Sequence, residues 1–207
     1  MGKPPLSEGV WGRLMNWKIL SSEYLTDKSF FRARKDKCVS SSGKIIPEYY
    51  VVELDTTLCA VGITEDNNVV MVKQYRHPVG KTLLEIPGGF VDANETPEKA
   101  IARELLEETG YEFSKYEYLG EVAANPGVLS GYTKLYLATG GRKVAEQKLD
   151  ANEEINVELI PLDDLVEMLL QNKIEQSLHT NCIFYALLKM GRLAPPPPKG
   201  GAPNHLD

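Results

Sequence analysis

Residues 89–111 read GFVDANETPEKAIARELLEETGY, and this stretch decides the fold. Thr96 is suited to cap a helix with its hydroxyl, and Pro97 suits the first helical position because it has no N–H to satisfy. Gly110 can adopt the left-handed conformation that ends a helix. The stretch therefore predicts a helix between Thr96 and Gly110. Its apolar stripe is expected to pack on a sheet and consists of Ala100, Ile101 and Leu105.

The other face of this helix is acidic. Glu104, Glu107 and Glu108 stand at i, i+3 and i+4, so their carboxylates converge in the last turn, where the helix dipole disfavours negative charge. Arg103 is the one adjacent cation within this stretch. Hard oxygen ligands in this arrangement suit Mg²⁺ or Mn²⁺. A solvated acidic face is the alternative, and the spacing of the neighbouring residues decides against it.

That spacing runs from Gly89 through Glu95 to Arg103, and continues to Gly110 and Tyr111. It resembles the Nudix box, in which a Gly and a Glu precede Arg-Glu-aliphatic-x-Glu-Glu-x-Gly-aliphatic. Tyr111 departs from the pattern, although it is still largely apolar. The resemblance implies a hydrolase of α/β (α+β) class, with an α/β/α sandwich built on a mixed sheet.

Composition limits the other possibilities. The chain has 207 residues and a net charge of −6, without a long basic run, so nucleic acid is not an expected partner. Its three cysteines are widely spaced and odd in number, which fits a reducing compartment. We find no apolar run of membrane-spanning length and no signal-peptide core. We therefore expect a cytoplasmic protein without a membrane partner.

Periodicity along the chain predicts an antiparallel meander followed by a mixed α/β domain. The predicted strands cover residues 17–24, 31–39, 46–54, 58–64, 69–75, 83–86, 116–123, 132–138 and 155–160. Two further helices are predicted over 163–170 and 175–190. The second is assigned an apolar face made of Leu178, Cys182, Phe184, Tyr185 and Leu188. A polar loop is expected over 140–150.

These elements suggest three segments. Residues 1–56 form an N-terminal antiparallel β extension, to which the family resemblance assigns dimerisation. Residues 57–193 form the hydrolase domain. Residues 194–207 are rich in Pro and Gly and are expected to be a flexible tail.

Three features outside the box narrow the resemblance. Gln74-Tyr75-Arg76 ends one strand, Leu84-Glu85-Ile86-Pro87-Gly88-Gly89 enters the box, and Pro126 follows it. Together they resemble the ADP-ribose pyrophosphatase branch, whose members split ADP-ribose and related nucleoside diphosphate sugars into a nucleoside monophosphate and a sugar phosphate. Many relatives carry a polar or His-containing stretch where this chain has residues 127–134, so the resemblance does not fix the sugar and the base.

The resemblance also implies an assembly. In this branch the N-terminal strands exchange between subunits and contribute aromatic side chains that stack on the base. A homodimer with composite active sites is therefore expected. The candidate aromatic residues are Trp17, Tyr24 and Phe31.

By the same resemblance Glu104 and Glu108 are the leading ligands for Mg²⁺, which Mn²⁺ can replace. Glu107 and the carbonyl of Gly88 follow them as candidates. Arg103 is expected to orient the glutamates through charge-assisted hydrogen bonds. Glu95 is either an outer-shell residue or an ordinary carboxylate at a helix start.

Substrate contacts are assigned to Arg76, Glu85, Phe90 and Pro126. Arg76 fits a pyrophosphate because a guanidinium grips two oxygens at once, whereas a surface salt bridge is the alternative. Glu85 either reaches the site or braces it, and Pro126 either shapes the sugar pocket or forms a plain turn.

The general base is sought on the loop after the box. The candidates are Glu153 and Glu154, and Glu153 aligns better. A carboxylate beside metals serves either as a base or as a ligand. The histidines, among them His77 and His179, show no zinc-binding spacing, and a structural role is expected for His77.

Two other functions are open at this point. One is a Nudix hydrolase of another class, acting on GDP-mannose, dinucleoside polyphosphates, damaged nucleotides or capped RNA. The other is a catalytically silent domain that binds a nucleotide sugar and regulates a partner. Intact box carboxylates weigh against the second.

Overall fold

A computed structural model describes residues 16–28 and 31–193, which form parts of two compact units. The N-terminal unit comprises the described residues up to Leu54 together with Asn125–Gly131. The main unit comprises Asp55–Ala124 and the described residues from Tyr132 onward. The loosely ordered start and the flexible tail predicted from the sequence lie outside the described residues.

The N-terminal unit is built on a three-stranded antiparallel sheet. Its strands follow one another in space as in sequence: β1 (Lys18–Lys28), β2 (Phe31–Val39) and β3 (Ile45–Glu53). The segment 125–131 adds to β3, since Val52 N–H donates to Val128 O at 2.8 Å and Ser130 N–H donates to Val52 O at 3.1 Å. The predicted meander is therefore present, with strand ends shifted by a few residues.

The main unit has an eight-stranded mixed sheet, which confirms the predicted fold class. The path runs β11-β5-β4-β10-β8, with β6 on β5, β7 on β4 and β9 on β10. Its strands are β4 (Thr57–Thr64), β5 (Asn68–Arg76), β6 (Lys81–Glu85), β7 (Gly88–Phe90), β8 (Tyr111–Glu112), β9 (Lys115–Ala123), β10 (Tyr132–Lys143) and β11 (Ile155–Pro161). The pair β10 and β4 is parallel and the other pairs are antiparallel.

Alternation along β4 places a hydrophobic core on each face of this sheet. Cys59, Val61 and Ile63 belong to one cluster, and Leu58 and Ala60 belong to the other. The first cluster is covered by α2 (Leu165–Leu170) and α3 (Ser177–Lys189), and the second by α1 (Pro97–Thr109). The result is an α/β/α sandwich.

Helix α1 begins and ends where local chemistry predicts. Thr96 has extended backbone and its hydroxyl accepts a hydrogen bond from Lys99 N–H at 3.4 Å, while Pro97 opens the helix. Gly110 adopts φ 74°, and its N–H donates to Leu106 O at 2.8 Å. The predicted apolar stripe of this helix is fully buried: Ala100, Ile101 and Leu105.

The face predicted for α3 was wrong. Cys182 is buried as predicted, but Phe184, Tyr185 and Leu188 are exposed. The buried stripe follows the i, i+3, i+4 spacing of a helix and consists of His179, Cys182, Ile183, Ala186 and Leu187. Phe184 and Leu188 fall off this stripe, since a helix turns by about 100° per residue.

The loop predicted over 140–150 is shorter than expected, because β10 continues to Lys143 and its end pairs with β8. None of the described helices is both long enough and apolar enough to cross a bilayer.

Candidate active site

The acidic face of α1 is the centre of the candidate site. Glu104 and Glu108 point to the same side of the helix one turn apart, with Glu107 between them. Glu108 is 4% exposed, whereas the Glu107 side chain is 35% exposed. Leu105 lies beside Glu108 around the helix and is anchored in the core, so the carboxylate row is fixed in orientation.

Arg103 links the carboxylates of this region. Its Nη1 donates to Glu104 Oε1 at 3.0 Å and to Glu107 Oε2 at 3.1 Å. Its Nε and Nη2 donate to the two oxygens of Glu95, and Nη2 also donates to the Phe90 carbonyl at 3.1 Å. These bonds raise the pKa of Arg103, with Glu95 contributing most. The guanidinium therefore offsets the like charges in the last turns of α1.

Glu108 forms no hydrogen bond with Arg103, so its negative charge is offset less than that of Glu104 or Glu107. Its Oε2 accepts a hydrogen bond from Gly88 N–H at 3.1 Å. Burial raises the pKa of Glu108 to about 8, and the charges of Glu104 and Glu153 add to the effect. Burial is also the main cause that raises the pKa of Glu104. Burial therefore disfavours the ionised form of both carboxyl groups, and a bound cation would stabilise that form.

Two glycines allow the backbone to approach these carboxylates. A Cβ at Gly89 would overlap the Glu104 carboxylate, and a Cβ at Gly88 would overlap the Leu58 carbonyl. Both glycines lie on β7, which pairs with β4. No strand was predicted between 83–86 and 116–123, so β7 is an addition from the structure.

The carboxylate oxygens of this site are ligands that suit a hard divalent cation. These carboxylates are not gathered around a single point, however. Among residues 16–28 and 31–193, no group of three His, Cys, Asp or Glu side chains is already arranged to hold a metal ion. Arg103 holds Glu104 and Glu107 instead. Within the described part of the chain, Glu104 Oε2 and Glu108 Oε1 accept no hydrogen bond, which leaves two carboxylate oxygens available for a cation.

Arg76 and Glu85 form a second polar group. Arg76 Nη2 donates to Glu85 Oε2 at 2.6 Å, and Nε donates to Oε1 at 3.1 Å. Glu85 is fully buried, while the Arg76 side chain is 43% exposed. The hydrogen bonds to Glu85 raise the pKa of Arg76. Glu85 thus braces Arg76 from inside the protein, so this pair differs from the surface salt bridge considered as the alternative.

The segment after β10 is attached to the C-terminal end of α1. Val144 N–H and Ala145 N–H both donate to Gly110 O, and Lys148 N–H donates to Glu107 O at 2.8 Å. The Gln147 side chain donates to Glu108 O at 2.7 Å and to Ile155 O at 3.0 Å. These bonds satisfy carbonyls that a helix end leaves without partners. They also fix the segment beside the acidic face.

A cavity of about 440 Å³ brings these groups together. Its lining consists of Gln74, Arg76, Gly88, Gly89, Phe90, Asp92, Arg103, Glu104, Glu107, Glu108, Lys148, Asp150 and Glu153. Glu153 lines the cavity and Glu154 does not. Glu85 and Glu95 also stand outside the lining, each bound to a lining arginine. Pro126 belongs to the N-terminal unit.

Five lining residues had no predicted role: Gln74, Gly89, Asp92, Lys148 and Asp150. Gln74 and Gly89 were part of motifs named from the sequence, whereas Asp92, Lys148 and Asp150 were not singled out. Lys148 is exposed and forms no ion pair with any described residue, in a cavity that is otherwise rich in carboxylates. Lys148 and Asp150 stand in a polar segment without periodicity, and only the link to α1 brings them here. The one signal in the sequence was that both residues are charged and come just before the loop glutamates predicted as the general base.

The aromatic residues predicted to stack on a base lie on the N-terminal sheet. Trp17, Tyr24 and Phe31 are each about half exposed. Trp17 makes an edge contact with Tyr49, with 6.0 Å between the ring centroids. Their predicted role in base binding stays a prediction.

Comparison with known proteins agrees with this geometry. The NUDIX domain matches residues 54–180, and the nucleoside diphosphate sugar hydrolase N-terminal domain matches residues 17–52. An ADP-ribose pyrophosphatase from Mycobacterium tuberculosis is 32% identical over 165 residues, covering 79% of this chain and 79% of that protein.

A second relative carries a different description. A methanol dehydrogenase activator from Bacillus methanolicus is 29% identical over 179 residues, covering 86% of this chain and 96% of its own length. A solved structure described as an ADP compounds hydrolase shares the fold with a TM-score of 0.76 at 19% identity, covering 87% of this chain and 99% of that one. Because the acidic box helix and both domain matches agree, this chain belongs to the Nudix hydrolases and carries the N-terminal domain of the nucleoside diphosphate sugar hydrolases.

Proposed function

We propose that this chain hydrolyses the pyrophosphate bond of ADP-ribose or a related nucleoside diphosphate sugar in a Mg²⁺-dependent reaction. The products are a nucleoside monophosphate and a sugar phosphate. One observation carries the proposal: a single cavity holds the acidic face of α1, the cation Arg76 and the loop carboxylate Glu153. The relative from M. tuberculosis supports ADP-ribose as the first substrate to test.

Glu104 and Glu108 would hold the divalent cation, with Glu107 and the Gly88 carbonyl as further ligands. Two observations support this assignment: one oxygen of each carboxylate accepts no hydrogen bond from the described residues, and burial raises the pKa of both leading ligands. When bound, Mg²⁺ neutralises phosphoryl charge and acidifies water. Mn²⁺ has the same preference for oxygen ligands and is expected to substitute.

The other residues of the site bind the substrate or position the metal ligands. Arg76 contacts the pyrophosphate oxygens, because it lines the cavity and Glu85 binds only its Nε and Nη2 edge. Arg103 keeps Glu104 and Glu107 in place. Phe90, which lines the cavity and is 55% exposed, supplies an apolar contact for the substrate. Pro126 is proposed to shape the sugar side.

The chemical step adds the oxygen of one water to one phosphorus atom and breaks the bond from that phosphorus to the bridging oxygen. Glu153 accepts the proton that this water loses, since its carboxylate lines the cavity. In this structure Glu153 Oε2 accepts a hydrogen bond from Asp150 N–H at 2.9 Å. Glu154, which is exposed and outside the cavity lining, is the second candidate for this role.

The reaction is tested by incubating the protein with ADP-ribose and Mg²⁺ and separating the products by chromatography. Glu104→Gln and Glu153→Gln proteins run beside the wild type, and Glu154→Gln is the matched control for Glu153. We expect AMP and ribose 5-phosphate from the wild type and from Glu154→Gln, with strong loss in the other two. Intact ADP-ribose beside cleaved GDP-mannose would move the substrate assignment and keep the reaction class.

The assembly proposed for this reaction is a homodimer in the cytoplasm. The N-terminal sheet exposes Trp17, Tyr24 and Phe31 together with several aliphatic side chains, and exposed apolar patches commonly mark interaction sites. The three cysteines are free, as a reducing compartment would keep them. A monomeric mass by light scattering at micromolar concentration would contradict the dimer.

A second function is favoured by one relative. The methanol dehydrogenase activator matches 86% of this chain, so regulation of a partner enzyme is the alternative. It predicts tight nucleotide-sugar binding without turnover at saturating Mg²⁺. Turnover that vanishes in Glu104→Gln would decide for the hydrolase.

A further inference from the structure

His179 is a buried histidine to which neither the box nor the cavity assigns a role. It lies on α3 and is 7% exposed. Its Nδ1 is buried and has no hydrogen-bond partner among the described residues. Such an atom is rare in a folded protein, because a buried polar group without a partner is costly.

The polar group that faces this nitrogen is Glu85, whose Oε2 lies 3.7 Å from His179 Nδ1. Glu85 is itself fully buried, and its described donors come from two side chains on one strand. Arg76 donates through Nε and Nη2, and Gln74 donates from Nε2 at 3.4 Å. Oε2 therefore has Arg76 Nη2, Gln74 Nε2 and His179 Nδ1 around it, and Oε1 is bound by Arg76 Nε.

This arrangement gives Glu85 control over the direction of Arg76. A bidentate contact fixes the plane of a guanidinium as well as its position. Arg76 Nη1 donates to no described residue, and Arg76 lines the cavity. If the Glu85 carboxylate rotates, the free edge of Arg76 rotates with it.

We propose that His179 is a positioning residue, which carries its hydrogen on Nδ1 and holds the Glu85 carboxylate in the orientation that presents Arg76 to the substrate pyrophosphate. A shift of about 0.5 Å would bring Nδ1 within hydrogen-bond distance of Oε2. This bond becomes important when a phosphate draws Arg76 away from Glu85. The inference rests on the proposed function, since it assigns Arg76 to the pyrophosphate.

Burial agrees with this assignment. It lowers the pKa of His179 to about 4, so the imidazole is neutral near pH 7 and has one N–H to donate. A neutral donor stabilises the carboxylate without competing with Arg76 for its charge. If His179 served only in packing, removing its Nδ1 would not change the contact between Arg76 and the substrate pyrophosphate.

The test compares His179→Leu with His179→Asn, in the wild-type and Arg76→Ala backgrounds. Asn places an N–H near the position of Nδ1, whereas Leu fills the space without a donor. Ile183→Val, a buried change on the same helix, controls for loosened packing. We expect His179→Leu to raise KM about fivefold with kcat within about twofold, and His179→Asn to stay within about twofold of wild type. In the Arg76→Ala background the His179→Leu effect should vanish.

Two outcomes would overturn the inference. One is a His179→Leu protein with wild-type KM. The other is an equal rise in KM when Arg76 is already absent, since that is the behaviour of a packing defect.

A second readout separates this inference from the proposed function. Arginine-selective ¹⁵N labelling follows the Arg76 Nε–H resonance, assigned by its loss in Arg76→Lys. We expect it to exchange slowly in the wild type and in His179→Asn, and to exchange faster and move towards free arginine in His179→Leu. If the wild type cleaves no nucleotide sugar, the hydrolase proposal fails while this resonance still tests the His179 contact. An unchanged resonance in His179→Leu would refute the contact.

Discussion

The two units of this chain differ in how far they bury their apolar side chains. In the main unit Leu58, Ile101 and Leu105 are almost wholly buried, with a helix over each face of the sheet. In the N-terminal unit Ile19, Leu25 and Tyr50 are each more than half exposed. Cys38 is the buried apolar residue in the described part of that unit. One unit thus has its own core, whereas the described sheet of the other leaves most of its large apolar side chains exposed.

Polar contacts replace the missing core of the N-terminal sheet. Asp36 is 3% exposed and accepts hydrogen bonds from Ser22 at 2.7 Å and from Arg34 Nε at 3.0 Å. Arg34 also pairs with Glu53. Such pairs fix strand register, but they add little net stability. We therefore expect mutations in the main unit to lower stability at any protein concentration, and mutations in the N-terminal unit to lower it in a concentration-dependent way.

The largest effect is expected from Leu105→Ala, which leaves a cavity between α1 and the sheet. It should lower the free energy of unfolding by about 3 kcal/mol, at any protein concentration. Leu25→Ala, on the exposed face of β1, should act through subunit association, so its loss should depend on concentration. Urea unfolding at two concentrations measures both. An equal and concentration-independent loss at Leu25 would show that the N-terminal sheet has a core of its own.

The next effect concerns pH and the buried histidine. Because the folded pKa of His179 is about 4 and its ordinary value is 6.5, the unfolded chain binds more protons between these values. The contribution is complete above pH 6.5 and is lost as pH falls towards 4, by up to about 3 kcal/mol. Urea unfolding at pH 7, 6 and 5 should show this slope in the wild type and a flatter one in His179→Asn. Equal slopes would contradict the neutral, buried state of the imidazole.

The third effect separates activity from stability at one residue. Glu108→Gln should lower kcat/KM at least about 100-fold, since it removes a proposed metal ligand. It should also make the metal-free protein more stable above pH 8, by about 1 to 3 kcal/mol. The reason is the folded pKa of about 8: stability present below pH 4.5 is lost as pH rises through 8, and Gln does not ionise. Urea unfolding in chelator measures it, and a less stable Glu108→Gln protein would contradict it.

The smallest effect is expected at the cavity rim. Lys148→Ala should raise KM for ADP-ribose by up to about 10-fold and leave kcat within about twofold, because an exposed ammonium adds attraction for phosphate without taking part in the chemistry. Lys143→Ala, an exposed lysine outside the cavity lining, is the matched control. An unchanged KM at all ionic strengths would remove Lys148 from the substrate site.

The same comparison explains which features could be predicted from sequence. Helix α1 was predicted because its cap, its first proline and its final glycine act within a few residues of one another. The sandwich followed from the resemblance carried by its acidic face. Local chemistry has no such markers for β7 or for the two residues of β8, which exist through pairing with distant β4 and β10.

The candidate site divides in the same way. Glu104, Glu108 and Arg103 were predicted from their spacing, and the structure places them in one cavity. Lys148 and Asp150 were missed because they reach the cavity through hydrogen bonds between a loop and a helix end. The link between His179 and Glu85 joins residues that are 94 positions apart and have no shared motif.

The attachment of the 144–148 segment to α1 has a consequence for the proposed base. Lys148 is held by its backbone to Glu107, and Ile155 begins the strand paired with β5. Residues 149–154 are therefore a short tether fixed at both ends, which keeps the Glu153 carboxylate at a high effective concentration beside the acidic face. Lengthening this tether would dilute the base without altering any residue that contacts the substrate.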